Sequence, residues 1–195
     1  MIFEKRSVRE IPRLESPRLI LRAMQPSDAA DMYAYACDRE VTRYLLWEAH
    51  ENIGVTRAYL DYIARRYRRG ECLDFAIELK SERRMIGTAG FVTIDGANRC
   101  AEIGYVVNPD YQNKGIATEA ARELLAYAFD KLNMNRVEAR FMKENERSLR
   151  VMEKLSMSFE GIAREKIFVK GMMRDVGTCA ILREEYYENN EKRYY

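Results

Sequence analysis

The stretch from Asn108 to Leu124 has the residue types of an anion-binding turn. It passes from strand-like residues through PDYQNKGIA into a long alanine-rich segment. A strand ending at Val107 and a helix beginning near Gly115 would bring several unpaired backbone N–H groups to one point, where the helix dipole adds partial positive charge. Gly115 has no side chain to obstruct a pyrophosphate, and Lys114 can add charge. A plain helix start with an incidental glycine is the alternative.

Two familiar phosphate-binding motifs are absent from the sequence. It contains neither G-x-x-x-x-G-K-[ST] nor a G-x-G-x-x-G that follows a strand. A nucleotide hydrolase and a Rossmann dehydrogenase are therefore disfavoured. The chain has a single histidine, His50, which also gives little support to a Ser-His-Asp hydrolase.

The composition indicates a globular chain with balanced charge. Of the 195 residues, 47% are hydrophobic, and 33 basic side chains face 31 acidic ones, for a net charge of +2. This balance offers no global electrostatic argument for binding nucleic acid. The basic run ARRYRRG at 64–70 fits the last turn of an amphipathic helix, where cations suit the helix dipole. A docking patch for an acidic partner is the alternative.

Cysteine spacing and hydropathy indicate the compartment. The four cysteines lie far apart, without a CxxC motif or clustered histidines, so we expect no metal site and no disulfide framework. No apolar run approaches the roughly 20 residues of a membrane span. The charged N-terminal segment lacks the apolar core of a signal peptide. We therefore expect a cytoplasmic protein with no membrane partner.

Hydrophobic periodicity predicts one mixed α/β (α+β) domain over residues 1–195. The predicted order is β-α-α-β-β-β-α-β-α-β-β, a mainly antiparallel sheet of about seven strands flanked by about four helices. The short connections KSERR and DGANR predict an antiparallel meander over residues 72–107. Residues 1–15 are expected to form an N-terminal extension, and residues 187–195 a frayed polar tail.

Several segments together resemble one enzyme family. The run QNKGIA at 112–117 resembles the Q/R-x-x-G-x-G/A signature of the GNAT superfamily of acetyl-CoA-dependent N-acetyltransferases. AEIGYVVNPDYQNKGIATEA resembles the strand, loop and helix that carry this signature in the RimJ/RimL-type branch, the ribosomal-protein N-terminal acetyltransferases. NERSLRVMEKLSMSFEG, SPRLILRAMQPSDAADMY and VTRYLLWEAH resemble further segments of that branch. The resemblance covers about residues 16–186 and implies the GNAT fold.

The resemblance implies acetyl-CoA as co-substrate and assigns residues to it. The pantetheine arm would pair with the strand backbone like an extra strand and accept a hydrogen bond from Asn145. Trp47 and His50 occupy the position of the branch's substrate loop, with core packing and a helix start as their alternatives. The strand residues are Tyr105, Val106 and Val107, and the N–H groups around the pyrophosphate are those of Gln112, Asn113, Lys114, Gly115, Ile116, Ala117 and Thr118.

Attack of an amine on a thioester requires a neutral amine, donors for the oxyanion and a proton or hydrogen bond for the departing thiolate. By resemblance the oxyanion donor is the backbone N–H of Val106. Glu102, which alternates with apolar residues on the central strand, is the candidate base. The alternative for Glu102 is a structural carboxylate bonded to a neighbouring strand. No covalent acyl-enzyme is needed, so no cysteine is expected to act as a nucleophile.

Two positions depart from the family pattern. Many GNAT enzymes carry a tyrosine general acid seven residues after the asparagine, where this chain has Met152. Ser148, on the same helix face as Asn145, or a water is therefore the expected partner of the thiolate, with an exposed polar role as the alternative for Ser148. Ser156 replaces the usual glycine of KLG, and we expect it to affect only the end of the helix.

The sequence thus predicts acetyl transfer from acetyl-CoA to a primary amine. An N-terminal α-amine has a pKa of about 7.7–8.0, against about 10.4 for lysine, so it is far more often neutral at pH 7. This favours a protein N-terminus or a small-molecule amine as acceptor. A non-catalytic acyl-CoA-binding sensor or scaffold is the alternative function. The sequence leaves a homodimer open.

Overall fold

The computed structural model describes residues 11–191 and has the mixed α/β fold expected from the sequence. The described chain divides into two compact units. The first unit comprises the residues up to Phe91 together with Tyr105–Glu123, and the second comprises Val92–Gly104 and the residues from Leu124 onward.

Eight strands and six α-helices account for most of the described residues. Two short 3-10 turns, Pro26–Asp28 and Pro109–Tyr111, precede α1 and α4. The strands are β1 Leu14–Glu15, β2 Leu19–Arg22, β3 Leu73–Leu79, β4 Arg84–Asp95, β5 Cys100–Val107, β6 Arg136–Met142, β7 Ser158–Val169 and β8 Met172–Leu182. The helices are α1 Ala29–Ala36, α2 Arg39–Thr42, α3 Ile53–Arg69, α4 Ile116–Asp130, α5 Glu146–Lys154 and α6 Arg183–Glu191.

The strands form one sheet in the order β1-β2-β3-β4-β5-β6-β8-β7. The meander expected over residues 72–107 is present as β3, β4 and β5. The ladder between β5 and β6 is parallel and joins Cys100–Glu102 to Arg136–Glu138. The ladders of β6 with β8 and of β7 with β8 are antiparallel. The last five residues of β5 therefore lie beyond its ladder with β6.

The predicted numbers of strands and helices were too low because three short elements carry no periodic signal. The last two residues of the expected N-terminal extension form β1 and pair with β2. Helix α2 is a single turn whose N-cap, Asp38, accepts a hydrogen bond from the N–H of Glu40. The expectation of a frayed tail was wrong up to residue 191, because α6 extends to Glu191. Residues 192–195 lie outside the described part.

Helix α6 is held by contacts that the sequence pattern did not reveal. Tyr187 Oη donates to Asp130 Oδ1 at 2.7 Å, and an Nη atom of Arg183 donates to the carbonyl of Phe129 at 2.6 Å. The bond from Arg183 satisfies a backbone carbonyl at the C-terminal end of α4. A polar sequence without an apolar stripe can therefore still form a docked helix.

The first unit has its core between the sheet and helices α1 and α3. Met24, Met32, Tyr35, Leu60 and Ile63 are buried there. Helix α3 begins after Asn52, whose Oδ1 accepts the N–H of Gly54 at 2.9 Å, and ends at Gly70 with a φ of 65°. The basic run lies in the last turn of this helix, which confirms the expected placement and suits the helix dipole.

The second unit buries the inward side chains of β6 and β8, including Val137, Ala139 and Ile181. The four cysteines of the chain are free thiols. Within residues 11–191, no helix is both long enough and apolar enough to cross a membrane.

Candidate active site

The anion-binding turn expected from the sequence forms between β5 and α4. Asn108 Oδ1 accepts the N–H of Asp110 at 3.0 Å, and Gln112 Nε2 donates to the carbonyl of Val107 at 2.9 Å. Asn113 and Gly115 then adopt φ angles of 59° and 76°, in the left-handed region that glycine enters freely. These two reversals turn the chain sharply into α4.

Unpaired main-chain donors collect at the start of α4. The N–H of Glu119 donates to the carbonyl of Gly115 at 3.0 Å, which is the first hydrogen bond of the helix. The N–H groups of Ile116, Ala117 and Thr118 precede that bond and have no partner within the helix. Because the helix dipole adds positive charge at this end, the turn has the donors and the sign of charge that an anion requires.

Two residues that lie just before β2 in the chain, Ser16 and Arg18, hold this turn in place through hydrogen bonds. The sequence analysis did not identify them. Arg18 Nε donates to Glu119 Oε2 at 2.6 Å, and Arg18 Nη1 donates to the carbonyl of Lys114 at 2.9 Å. Ser16 Oγ donates to Glu119 Oε1 at 2.6 Å. Burial alone would raise the pKa of Glu119, but the hydrogen bonds from Ser16 and Arg18 bring that pKa below its ordinary value. The carboxylate therefore anchors the turn in its charged form.

Lys114 makes its contacts within the turn. Its Nζ donates to the carbonyl of Asp110 at 2.8 Å and lies 5.4 Å from the centre of the Tyr111 ring. The guanidinium of Arg18 lies beside the glycine, since a Cβ built on Gly115 would be 3.4 Å from Arg18 Nη2. Arg18 thus adds a cation beside the turn that the sequence analysis had not considered.

Glu102 is a buried carboxylate with a strong partner. Its side chain is 8% exposed and forms an ion pair with Arg140 on β6. The hydrogen bond that Arg140 donates to Glu102 raises the pKa of the Arg140 guanidinium. The contact across strands is the one named as the alternative to a catalytic role. Arg140 donates to Oε2 of Glu102, so a proton accepted on that oxygen would compete with this hydrogen bond. The sequence analysis did not identify Arg140.

Asn145 and Ser148 are brought together at the start of α5. Asn145 is the N-cap: its Oδ1 accepts the N–H of Ser148 at 3.3 Å, and its Nδ2 donates to Ser148 Oγ at 3.0 Å. Their contact with each other is thus structural. Met152, at the position of the family's tyrosine, is buried. Ser156 has a φ of 61° just after the helix, which explains why glycine is usual there.

Trp47 and His50 pack into the first unit. Their ring centres are 5.3 Å apart, and Trp47 is partly buried against the core between α1 and α3. His50 Nδ1 lies 2.9 Å from Thr56 Oγ1, and burial lowers the pKa of the imidazole. The core packing named as the alternative for Trp47 is present, and His50 lies just before α3, whose N-cap is Asn52. Contact of either residue with substrate stays a prediction.

A carboxylate that the sequence analysis missed lies on β3. Asp74 pairs with Gly90 of β4, and a Cβ built on Gly90 would overlap Asp74 Oδ1. Among residues 11–191, no side chain or N–H forms a hydrogen bond or ion pair with the Asp74 carboxylate. Burial raises the pKa of this group, opposed by the charge of Arg66. An acidic residue between the apolar residues Leu73 and Phe75 of this strand was the signal that could have identified it.

Comparison with known proteins places this geometry in a family. The family described as "Acetyltransferase (GNAT) domain" matches residues 18–158. The uncharacterized N-acetyltransferase p20 of Bacillus licheniformis is 36% identical over 89% of this chain and 97% of its own length. The spermidine N(1)-acetyltransferase of Escherichia coli (strain K12) is 28% identical over 85% of this chain and 87% of its own. The crystal structure of a GNAT-family acetyltransferase from Bacillus anthracis superposes with a TM-score of 0.79, at 30% identity, covering 89% of this chain and all of that one.

Proposed function

Because this chain belongs to the GNAT family and is an acetyl-CoA-dependent N-acetyltransferase, we propose that it acetylates a primary amine by direct attack on the thioester. The acceptor is a protein N-terminal α-amine or a small-molecule amine. The observation that carries this proposal is the set of unpaired N–H groups at the start of α4, held in place by Arg18 and Glu119. Such a set suits the pyrophosphate of the co-substrate.

The proposed binding mode of acetyl-CoA uses both the turn and β5. The N–H groups from Asn113 to Thr118 surround the pyrophosphate, and the guanidinium of Arg18 adds charge beside them. The N–H of Gln112, which the sequence analysis had included, donates instead to the carbonyl of Pro109 at 3.1 Å. The pantetheine arm pairs with the backbone of Tyr105–Val107, like an added strand. The position of these residues beyond the β5–β6 ladder supports this pairing. Asn145 donates to the arm through its amide while its Oδ1 caps α5.

The proposed chemistry needs no covalent intermediate. The amine attacks the thioester carbon, the backbone N–H of Val106 stabilises the oxyanion, and the thiolate leaves with a proton. Glu102 accepts the proton of the amine, directly or through a water, while Arg140 fixes its carboxylate in place. Ser148 or a water hydrogen-bonds the departing thiolate, because Met152 has no proton to give.

The acceptor argument rests on the protonation state of the amine. A site whose candidate base is one carboxylate suits an amine that is already partly neutral, such as an α-amine. Similarity to a spermidine N(1)-acetyltransferase supports a small-molecule amine as the other option. The free thiols suit a reducing compartment, and we propose that the chain acts in the cytoplasm as one domain. Sedimentation would show whether it forms a homodimer.

A direct assay tests the proposal. Release of free CoA thiol from acetyl-CoA is followed with a panel of N-terminal peptides, lysine peptides and small amines. We expect turnover with at least one α-amine or small amine, and mass spectrometry should locate one added acetyl group on its nitrogen. Tight binding of CoA without turnover of any amine would favour the non-catalytic sensor instead.

A further inference from the structure

Tyr35 of α1 carries a buried hydroxyl that forms no hydrogen bond. The side chain is 1% exposed, and its Oη has no hydrogen-bond partner among the described residues. A buried polar group without a partner costs free energy, and phenylalanine would fill the same space without that cost. Burial raises the pKa of Tyr35, so the hydroxyl keeps its proton and stays a donor. A hydroxyl held in this way needs an explanation.

Thr88 of β4 lies beside this hydroxyl and acts on it, although the two groups do not meet the geometry of a hydrogen bond. Thr88 pairs with Ala76 of β3, and residues paired across two strands point to the same face of the sheet. Ala76 and Tyr35 both belong to the core between the sheet and helices α1 and α3. The side chain of Thr88 therefore points from the sheet toward α1.

Thr88 also lies opposite Val106. The N–H of Asn108 donates to the carbonyl of Ile86 at 2.9 Å, and counting back along this antiparallel pair puts Thr88 across from Val106. Both residues are partly exposed, whereas Ala76 on the other side of Thr88 is fully buried. Solvent therefore reaches this face of the sheet at Thr88, beside the residue where acetyl transfer is proposed.

We propose that Thr88 orients the attacking amine and that Tyr35 positions the Thr88 hydroxyl for this task. This inference rests on the proposed acetyl transfer at Val106 and adds two residues to it. The Tyr35 hydroxyl donates to one lone pair of Thr88 Oγ1, and the other lone pair accepts an N–H of the amine. The lone pair of the nitrogen can then face the thioester carbon.

The separation of the two hydroxyls fits this arrangement. Hydrogen bonds of a reacting site are often long or poorly aligned until the substrate is in place. The hydroxyl of Tyr35 destabilises the fold, and a cost of this kind is expected where activity needs the group. Tyr35 lies in the core and acts only through Thr88, so it is a positioning residue.

Kinetics with two simple acceptors, alaninamide and butylamine, test the proposal. We expect Thr88→Val to lower kcat/KM for the amine about three- to tenfold, as the loss of one hydrogen bond between neutral groups does. The KM for acetyl-CoA should not change. Thr88→Ser keeps the hydroxyl and should stay within about twofold of the wild type. Thr93→Val, at an exposed position of the same strand, is the control.

Tyr35→Phe removes only the hydroxyl. It should lower kcat/KM for the amine by no more than Thr88→Val does, while the Tm stays at or above that of the wild type. The double variant Tyr35→Phe/Thr88→Val should be no slower than Thr88→Val alone, because Tyr35 acts through Thr88. Tyr62→Phe, which removes an exposed hydroxyl of α3, should leave every constant unchanged.

The outcomes separate this inference from the proposed function. If the amines are acetylated but Thr88→Val or Tyr35→Phe keeps the wild-type kcat/KM, or the two effects multiply in the double variant, the inference is overturned and acetyl transfer stands. If no amine is acetylated, the proposed function fails, and calorimetry with a thioether that joins CoA through an acetyl group to butylamine still decides. Weaker binding of this compound to both single variants, with CoA itself bound equally, would support the inference, and equal binding of the compound would overturn it.

Discussion

The guanidinium of Arg18 and the carboxylate of Glu119 form an ion pair at the start of α4, which we call the bracket. Arg18 Nε donates to Glu119 Oε2 at 2.6 Å, and the Arg18 N–H donates to Glu119 Oε1 at 2.9 Å. The same guanidinium reaches the carbonyl of Lys114, so it links the first turn of the helix to the loop before it. The proposed pyrophosphate site is therefore built from two segments of the chain.

The first prediction concerns this bracket. Arg18→Gln should raise the KM for acetyl-CoA about five- to tenfold with little change in kcat, because the loss of a half-exposed charged contact costs about 1 kcal/mol. Steady-state kinetics with saturating amine would measure it. Arg13→Gln, which breaks an exposed pair with Glu15, should leave both constants unchanged. An unchanged KM in Arg18→Gln would show that the bracket does not support the co-substrate.

The second prediction tests whether Glu102 is a base. Glu102→Gln keeps the shape of the side chain but removes its proton-accepting charge, so kcat should fall about a hundredfold while the affinity for acetyl-CoA stays nearly the same. Glu138→Gln is the matched control, because Glu138 lies opposite Glu102 in the β5–β6 ladder and pairs with Arg136. A lower melting temperature with an unchanged rate would identify Glu102 as a structural partner of Arg140.

The third prediction separates two roles of Asn145. Asn145→Ala removes the N-cap of α5 and should lower the free energy of unfolding by about 1 kcal/mol, or about 2–4 °C in Tm. Asn145→Asp keeps an oxygen that accepts the Ser148 N–H but removes the amide donor. If the amide contacts the pantetheine arm, Asn145→Asp should retain the wild-type Tm and raise the KM for acetyl-CoA. Equal KM values for acetyl-CoA in the wild type and in Asn145→Asp would show that Asn145 only caps α5.

Local sequence signals predicted most of the fold. Strand β5, the turn and α4 were predicted closely because hydrophobic period, a positive-φ glycine and a helix start all lie within a few consecutive residues. Asn145 and Ser148 were expected on one helix face for the same reason, since they lie one helical turn apart. The short elements β1 and α2 were missed because two to four residues are too few to show a period.

Contacts between distant residues could not be predicted in this way. Arg18 and Glu119 are 101 residues apart in the chain, and Glu102 and Arg140 are 38 apart. A charged residue on a strand does not indicate which neighbour it will face, because that depends on strand order and register. Asp74 was missed for a related reason: its burial becomes visible only when its surroundings are known.

The last prediction is a pH-dependent gain in stability from Asp74→Asn. Burial raises the folded-state pKa of Asp74 above its unfolded value, and the groups around the carboxylate are Arg66, Tyr59, Tyr67 and Cys72. The folded protein therefore binds more protons than the unfolded chain between those two pKa values, and the contribution of Asp74 to stability falls as the pH rises through that window.

Asp74→Asn removes this loss, so its Tm should exceed that of the wild type at pH 7–8, by about 2–4 °C for each kcal/mol regained. The difference should shrink as the pH falls below the ordinary carboxyl range, where Asp74 is protonated in both states. Thermal unfolding in a series of buffers measures both effects, with Asp61→Asn on the exposed side of α3 as control. A Tm gain that is equal at all pH values, or a lower Tm at neutral pH, would contradict a carboxylate whose pKa is raised by burial.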